Sequence, residues 1–435
     1  MVKVYNMTKV ALILLLLLLV HGACGLRECW VERIAASKPS QRIQAEGGVV
    51  DFWEENEEQF RCAGVSAMRI KMHPETLTMP KYHSAPLLIF VKQGMGVMGV
   101  TFAGSPETYQ SSQPTRIRKL SRRDQHQKIH RIRQGDLIAI PAGAAYWCYN
   151  DGEKELATVS VFDLNNQANQ LDQKLRTFFL AGGISRSEML EIEWQRGSKQ
   201  MKQNLFNGFE TEILADVFDV STNLVRVLQE DTRGAIVNVG HEMRMIRPDD
   251  DEEEESWYEE NENYCTTRIK QSMDTHDESD IVVRKGGRVH LVDHEKLPIL
   301  RSLGMSAERG RLMPNAMITP HWSTTENRAV YVTRGEAHVE IVDNFGKTIM
   351  DEIVKEGDMF VLPQFFAVTA KAINKGYEWI TFKSSSQPKK SPMISVIKAM
   401  PIHVLTNAYN NMSPIQAQEL KWNRGEQTMI LSPSY

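Results

Sequence analysis

The chain has 435 residues, of which 42% are hydrophobic and 24% charged, a composition typical of a globular protein with two or three domains and a substantial apolar core. Its formal net charge of −4 gives no bulk attraction to nucleic acids or membranes. At the amino terminus, Lys3 and Lys9 precede an apolar run at residues 11–20, and small residues follow at 23–25. This pattern predicts a secretory signal peptide over residues 1–25 and no membrane span after it.

Two segments of the chain repeat one pattern. Residues 135–141 begin with Gly-Asp, continue as an apolar run and end in proline, and residues 357–363 do the same. Each is preceded by an apolar stretch that ends in glycine, at residues 88–94 and 329–335. Short β-branched and aromatic runs, separated by glycine, proline and aspartate, surround these repeats and indicate a sandwich or barrel. The sequence therefore predicts a duplicated unit rich in β-strands.

Each β-rich half ends in a predicted pair of helices. Residues 206–218 have apolar side chains at helical spacing, and Ser221 is placed to cap a second helix at 222–229. In the second half, a helix at 402–409 precedes a serine-proline start and a helix at 415–421. The bland interpretation is that these helices cover their own barrel. The strength of the apolar stripe favours docking on a neighbouring subunit instead.

An acidic segment separates the two halves. Residues 249–255 are all Asp or Glu, and three further glutamates follow by residue 262. Like charges at this density repel one another and bury no apolar surface, so we predict a disordered linker over residues 246–280. Its exposed backbone would suit a protease. The predicted domains are then 26–245 and 281–435, each a β-domain with a helical extension.

Four stretches, three in the first half and one in the second, carry the most specific motifs of the chain. They are residues 124–130 leading into 133–136, residues 140–143 with 147–151, residues 206–209, and residues 361–364. Together they resemble the bicupin fold, and specifically the legumin-type seed storage globulins, over nearly all of the mature chain. The resemblance implies an all-β fold with appended helices, built as two tandem jelly-roll β-barrels that are each followed by a helical extension.

The resemblance also implies a function. Legumin-type globulins are non-enzymatic nutrient reservoirs of seeds that enter the secretory pathway and accumulate in protein storage vacuoles. They assemble as homo-oligomers, trimers that pair into hexamers after a maturation cut by a processing protease. The expected partners of this chain are therefore its own copies, through the helical extensions, with no nucleic acid and no membrane.

The resemblance also locates the metal-ligand positions of enzymatic cupins, which hold a divalent metal with three histidines and one carboxylate. In the first half these positions are Lys81, His83, Leu87 and Tyr146. In the second half they are His321, Ser323, Arg328 and Val368. One imidazole per half, beside a lysine or an arginine, does not make a metal site. We therefore predict degenerate positions with no metal, no other cofactor and no catalytic residue.

Four cysteines remain after the signal peptide, Cys29, Cys62, Cys148 and Cys265, and the sequence alone leaves three pairings open. Cys148 lies between aromatic residues in an apolar stretch and is interpreted as a buried free thiol. By resemblance, Cys29 and Cys62 form the disulfide that ties the amino-terminal segment to the first barrel. Cys265 is then a lone thiol without an assigned role.

The chain departs from the family at its processing site. The resemblance places an asparagine-glycine bond shortly before Cys265, where residues 258–259 read Tyr-Glu, and it places a partner cysteine at Ser105. Because both the asparagine-glycine bond and the partner cysteine are missing, we predict that the protein stays one chain or is cut elsewhere. Asn261 and Asn263 are the candidate positions for such a cut.

Two other functions stay open on the sequence. One is a metal-dependent, germin-like cupin enzyme, against which the ligand positions argue. The other is a small-ligand-binding cupin module, in which Met95, Met98, Tyr146 and Trp147 either line a pocket of the first barrel or fill its core. The basic segment at residues 116–133 is interpreted as a solvated connection rather than a nucleic-acid site, since no stacking aromatic accompanies it.

Overall fold

The computed structural model describes residues 29, 31–53, 57–102, 129–184, 204–230, 233–239, 268–274, 279–424 and 428–433. The predicted signal peptide, Ser105, Asn261, Asn263, Cys265 and the acidic run at 249–255 lie outside the described residues. Within the described ranges, every strand pairing is antiparallel and no helix is long and apolar enough to cross a bilayer.

The first half of the chain forms two facing sheets. Its strands are β1 (Gln41–Ala45), β2 (Gly48–Trp53), β3 (Val65–Met72), β4 (Thr76–His83), β5 (Leu87–Gln93), β6 (Met95–Thr101), β7 (Ile129–Arg133), β8 (Asp136–Ile140), β9 (Ala145–Tyr149), β10 (Leu156–Asp163), β11 (Thr177–Phe179), β12 (Ile236–Asn238) and β13 (Lys270–Ser272). One sheet has the order β1-β2-β3-β10-β5-β8-β13. The other has the order β11-β4-β9-β6-β7, with β12 also paired to β4.

The second half repeats this architecture with longer strands. They are β14 (Ile281–Val283), β15 (Gly287–Val292), β16 (Ser306–Leu312), β17 (Met317–Ser323), β18 (Arg328–Val342), β19 (Thr348–Lys355), β20 (Met359–Leu362), β21 (Ala367–Lys383), β22 (Lys390–Pro392) and β23 (Ile430–Leu431). The 15 residues of β18 correspond to β5 and β6 together. Because β18 pairs with β19, β20 and β21, it runs through both walls of the second barrel.

The repeated Gly-Asp pair forms the same turn in both halves. Gly135 and Gly357 have φ angles of 91° and 84°, in the left-handed region that glycine adopts at little cost. A carboxylate oxygen of Asp136 accepts a hydrogen bond, at 2.9 Å, from the backbone N–H three residues earlier, and Asp358 does so at 2.7 Å. The motif therefore turns the chain into β8 and β20.

The helices lie mainly after the barrels. They are α1 (Glu58–Ala63), α2 (Thr211–Phe218), α3 (Thr222–Gln229), α4 (Leu300–Leu303), α5 (Met393–Ala399), α6 (Ile402–Ala408) and α7 (Pro414–Trp422), with a 3₁₀ helix at Leu205–Gly208. Ser221 caps α3 and Ser413 caps α7, as predicted. The prediction of one helix over 206–218 was wrong, because Asn204 caps a separate 3₁₀ turn that ends before α2 begins. Helix α5 was not predicted.

The two barrels share their largest apolar core. It joins Phe90 and Leu137 of the first barrel to Tyr331, Met359 and Phe382 of the second. Burial of this extent is the main favourable term in folding. The halves are therefore held together by a continuous apolar layer and not by the linker alone.

The predicted domain 26–245 assigned the amino-terminal segment to the first barrel. In the structure this segment also packs on the second barrel. Val31 and Ile34 lie in the apolar core of the second barrel, and Ser37 forms a β-bridge with Met359. Cys29 and Cys62 form the expected disulfide, which ties this segment to α1. Sequence patterns do not show such a contact because its two sides are more than 300 residues apart.

The predicted linker 246–280 is too long at its carboxyl end. Residues 268–274 include β13, which pairs with β8 of the first barrel. They also bury Ile269 and Met273. The dense run of negative charge stops at residue 262, so the apolar residues beyond it can add an edge strand to the sheet.

Candidate functional site

The predicted ligand positions lie at equivalent places in the two barrels. In the first barrel Lys81 of β4 is opposite Tyr146 of β9, just as His321 of β17 is opposite Val368 of β21 in the second. Both pairs follow a bulge that contains a proline, where the missing N–H disturbs the ladder least. The third position begins β5 or β18. All eight side chains are buried.

Three of the four residues in the first barrel contact one another. Nε2 of His83 lies 2.9 Å from the hydroxyl of Tyr146, and its Nδ1 lies 3.1 Å from the Thr177 hydroxyl. Nζ of Lys81 lies 5.7 Å from the centre of the Tyr146 ring and 5.8 Å from that of Phe179, within cation–π range. Leu87, the fourth residue, is fully buried and contributes only apolar surface.

Burial determines the protonation of this cluster. It lowers the pKa of Lys81 to about 8 and lowers that of His83 well below its ordinary value, with a further decrease from the Lys81 cation. It raises the pKa of Tyr146 and raises that of Cys148 to about 12. At neutral pH the imidazole is therefore uncharged, and the phenol and thiol keep their protons. Cys148 is the buried free thiol predicted from the sequence.

The second barrel replaces this cluster with a direct contact between a histidine and an arginine. Nδ1 of His321 lies 3.0 Å from the Thr319 carbonyl oxygen, and Nη1 of Arg328 lies 3.0 Å from Nε2 of the same ring. Since a guanidinium only donates, Nε2 is the acceptor and Nδ1–H donates to the carbonyl. Burial lowers the pKa of His321, and the neighbouring Arg328 cation lowers it further. Ser323, in the same strand as His321, and Val368, opposite His321 in β21, are also buried.

A buried ion cluster beside this pair was not predicted. Oε2 of Glu308 accepts a hydrogen bond from Nζ of Lys383 at 2.7 Å and a second one from Nζ of Lys390. Although burial opposes ionisation, the two ammonium groups hold the pKa of Glu308 well below its ordinary value. Burial lowers the pKa of Lys390 to about 8, against the pull of Glu308. These residues come from β16, β21 and β22, so no short motif could have revealed the cluster.

A cavity of roughly 50 Å³ lies among these charged groups in the second barrel. Its polar wall is formed by Glu308, His321, Arg328 and Lys390. The small-ligand alternative had placed a pocket in the first barrel, among the methionines and aromatics there. Of these side chains, Met98 and Tyr146 are buried in the largest apolar core, and Met95 is exposed.

The residues at the ligand positions do not fit a divalent metal. At these positions each barrel has one imidazole, and both ring nitrogens of that imidazole already have hydrogen-bonding partners in the protein. A cation at Lys81 or Arg328 would repel a metal ion strongly in a buried site. In the part of the chain described by the structure, one other set of side chains has ligand atoms close enough together to coordinate a metal ion. It is the solvated cross-strand cluster of His338, Glu340 and Asp351.

Comparison with known proteins identifies the family of this chain. The Cupin family model matches residues 34–202 and 274–415. The chain is 44% identical over 428 residues to 11S globulin seed storage protein 2 of Sesamum indicum, covering 94% of this chain and 92% of the relative. The crystal structure of the coconut allergen cocosin superposes with a TM-score of 0.81 at 37% identity, covering 93% of this chain and all of that one.

A recombinant pro-11S globulin of pumpkin gives the same TM-score of 0.81 at 36% identity, covering 94% of this chain and all of that one. These matches confirm the predicted bicupin fold of two β-barrels with helical extensions. They also confirm the predicted function class, because the relatives are seed storage proteins. The chain belongs to the cupin family and, within it, to the legumin-type 11S seed storage globulins.

Proposed function

We propose that this seed storage globulin serves as a nutrient reservoir without catalytic chemistry. The observation that carries the proposal is that side chains at the predicted ligand positions hydrogen-bond to one another. In the first barrel His83 and Tyr146 are hydrogen-bonded to each other, and in the second His321 is hydrogen-bonded to Arg328. Each group is buried, so none is available to a substrate as an acid, a base or a metal ligand.

The rival function, a germin-like metal enzyme, makes a measurable prediction. Such an enzyme would carry about one manganese or iron ion per chain. Elemental analysis of protein purified without chelators, before and after incubation with Mn²⁺, Fe²⁺ or Zn²⁺ and desalting, is expected to find far less than one ion per chain. One retained ion per chain that is lost in a His83→Ala or His321→Ala variant would overturn the proposal.

We further propose that the helical extensions join subunits into a homo-oligomer. Their apolar side chains are not covered by their own barrel: Val217 and Val227 are 69% and 66% exposed, and Ile415 and Trp422 are 69% and 59% exposed. The small core of the first extension contains only Leu214, Ala215 and Val225 as buried members. Apolar faces of this size mark interfaces between proteins.

The duplication suggests how the subunits would meet. Each chain presents one apolar helical pair after each barrel, so the pair of one subunit can pack on the other pair of the next. Contacts of this head-to-tail kind close into rings when the rotation fits. A trimer closed by these contacts is the proposed state, and a hexamer of two stacked trimers is the alternative.

Light scattering coupled to size-exclusion chromatography tests this assembly. Val227→Asp places a charge in the proposed interface and is expected to shift the protein to monomers. Asn223→Asp adds the same charge on an exposed polar position of the same helix and is expected to leave the trimer intact. A monomeric wild-type protein, or equal behaviour of the two variants, would contradict the proposal.

The proposed destination is the protein storage vacuole of the seed, reached through the secretory pathway after removal of residues 1–25. The Tyr-Glu pair at residues 258–259 and the serine at position 105 support a chain that stays uncut. Any cut by a processing protease would fall at Asn261 or Asn263. Reducing and non-reducing gels of protein from seeds are expected to show the same single band, whereas two fragments that separate only on reduction would refute the single-chain proposal. High abundance during seed filling is the matching expectation for a reservoir.

A further inference from the structure

Arg328 of the second barrel has hydrogen-bond donors without acceptors. It is 4% exposed and lines the cavity. Nη1 donates to His321, but Nε and Nη2 are fully buried and have no hydrogen-bond partner within the described structure. Native proteins rarely leave a buried charged donor unsatisfied, because the group has lost its water without gaining a partner. The two nitrogens therefore indicate a missing acceptor.

The unused donors have the geometry of a carboxylate site. Nε and Nη2 lie on the same edge of the guanidinium plane, and this edge matches the two oxygens of a carboxylate. The first half of the chain shows the same edge in use, because Nε and Nη2 of Arg69 donate to Oδ2 of Asp51 at 2.9 and 2.6 Å. Arg328 presents this edge without any such partner.

Among the described residues, no carboxylate forms a salt bridge with Arg328. Glu308 lines the cavity, but it is shared between Lys383 and Lys390. Glu326 is buried near Arg328, and its Oε2 accepts hydrogen bonds from Thr325 and Lys389. Its Oε1 is buried without a hydrogen-bond partner and does not bond Arg328. Two buried cations, Arg328 and Lys383, and the partly exposed Lys390 thus face two carboxylates, which leaves one positive charge in excess. A bound monoanion would neutralise it.

The remaining wall of the cavity is suited to a short hydrocarbon chain. It is mostly apolar and includes Val330, Val339, Phe360 and Trp379. The cavity volume of roughly 50 Å³ is several times the ~10–15 Å³ that a water molecule requires. It can therefore hold an organic acid of a few non-hydrogen atoms, whereas a bare halide would leave the apolar wall empty.

We propose that the second barrel binds a small monocarboxylate of about two to four carbons, whose carboxylate pairs with the Nε/Nη2 edge of Arg328 and whose tail contacts Phe360 and Trp379. This site lies outside the storage role and does not depend on it. It is confined to the second barrel, since the corresponding position of the first barrel is Leu87.

Calorimetric titration of the full-length protein with sodium acetate, propionate and butyrate tests the site, with sodium chloride and inorganic phosphate at matched ionic strength as comparison ions. The wild type is expected to bind the carboxylates saturably, one per chain. Arg328→Gln is expected to weaken binding by at least about tenfold, because a charge-assisted pair is lost. Arg334→Gln, at an exposed position of the same strand, is expected to leave the dissociation constant unchanged.

A second variant keeps the test decisive if Arg328→Gln fails to fold. Ala370→Leu fills the cavity and retains the arginine, and it is expected to abolish butyrate binding while reducing acetate binding less. Absence of carboxylate binding to the wild type would overturn the proposal. So would unchanged binding by Arg328→Gln or Ala370→Leu, or equal binding of chloride and acetate, which would show a general anion effect.

Discussion

Replacement of Lys81 with methionine is expected to stabilise the protein at neutral pH. Lys81 is 3% exposed, has no salt bridge among the described residues, and lies over two aromatic rings. Burial of its ammonium group lowers the pKa from 10.5 to about 8. Methionine has a similar length and no charge, so it keeps the packing and removes the desolvation penalty.

The size of the effect follows from the pKa shift. A lowering from 10.5 to about 8 corresponds to a penalty of about 3 kcal/mol when both states are protonated. Cation–π contacts with Tyr146 and Phe179 offset about 1 kcal/mol of this penalty. The expected net gain of Lys81→Met at pH 7 is therefore about 2 kcal/mol, equivalent to a rise of roughly 4–8 °C in melting temperature for a domain of this size.

The pH dependence separates this explanation from a simple packing effect. Because the folded-state pKa lies below the unfolded-state pKa, the unfolded chain binds more protons between about pH 8 and 10.5. Wild-type stability therefore rises relative to the variant across this window, and the gain from Lys81→Met falls below about 1 kcal/mol at pH 10.

Scanning calorimetry at pH 7 and pH 10 measures the difference in melting temperature between the wild type and Lys81→Met. Lys174→Met, at an exposed position of the same half, is the control and is expected to change little at either pH. A Lys81→Met variant that is less stable than the wild type at pH 7 would refute the reasoning. A gain that is the same at both pH values would do so as well.

Two further substitutions test the ion cluster and the repeated turn. Glu308→Gln is expected to lower the free energy of unfolding of the second barrel by about 3–5 kcal/mol, because two buried ammonium groups lose their carboxylate. In urea unfolding, the exposed control Glu295→Gln should have little effect, and the difference should shrink below pH 4.5 because the folded-state pKa of Glu308 is depressed. Gly135→Ala is expected to lower the free energy of unfolding by about 1 kcal/mol or more, since φ is +91° and the new Cβ would meet the Asp274 carboxylate. Gly208→Ala, where a Cβ meets nothing within 4 Å, is its control in the same assay, and an equal loss in both variants would contradict the turn argument.

The parts of the fold that were predicted from the sequence rest on local signals. Gly-Asp pairs predicted the turns before β8 and β20, because a positive φ and a short acceptor side chain are properties of one or two residues. Helix caps at Ser221 and Ser413 are local in the same sense. The packing of Ile34 on the second barrel, and β13 within the predicted linker, depend on partners more than 100 residues away. Spacing patterns carry no signal for such partners.

The candidate site divides along the same line. The eight predicted ligand positions lie at equivalent places in the two barrels, since glycines and prolines fix the register of each strand. The electrostatics around them were not predicted, because Lys390 follows a polar stretch that reads as an ordinary loop. Only its antiparallel pairing next to Ser323 brings its ammonium group to Glu308. The cavity arises from the packing of side chains from several strands, and no residue type in the sequence predicts it.

The two barrels differ in the cation that lies at one of the predicted ligand positions. In the first barrel the cation is Lys81, and aromatic rings cover it while its pKa falls, so the site closes around a group that can lose its proton. In the second barrel the cation is Arg328, which stays charged at any physiological pH and therefore requires an acceptor. His321 accepts from one of its nitrogens, and Nε and Nη2 are left without an acceptor among the described residues. The difference between lysine and arginine therefore accounts for the unsatisfied donors of the residue that lines the cavity of the second barrel.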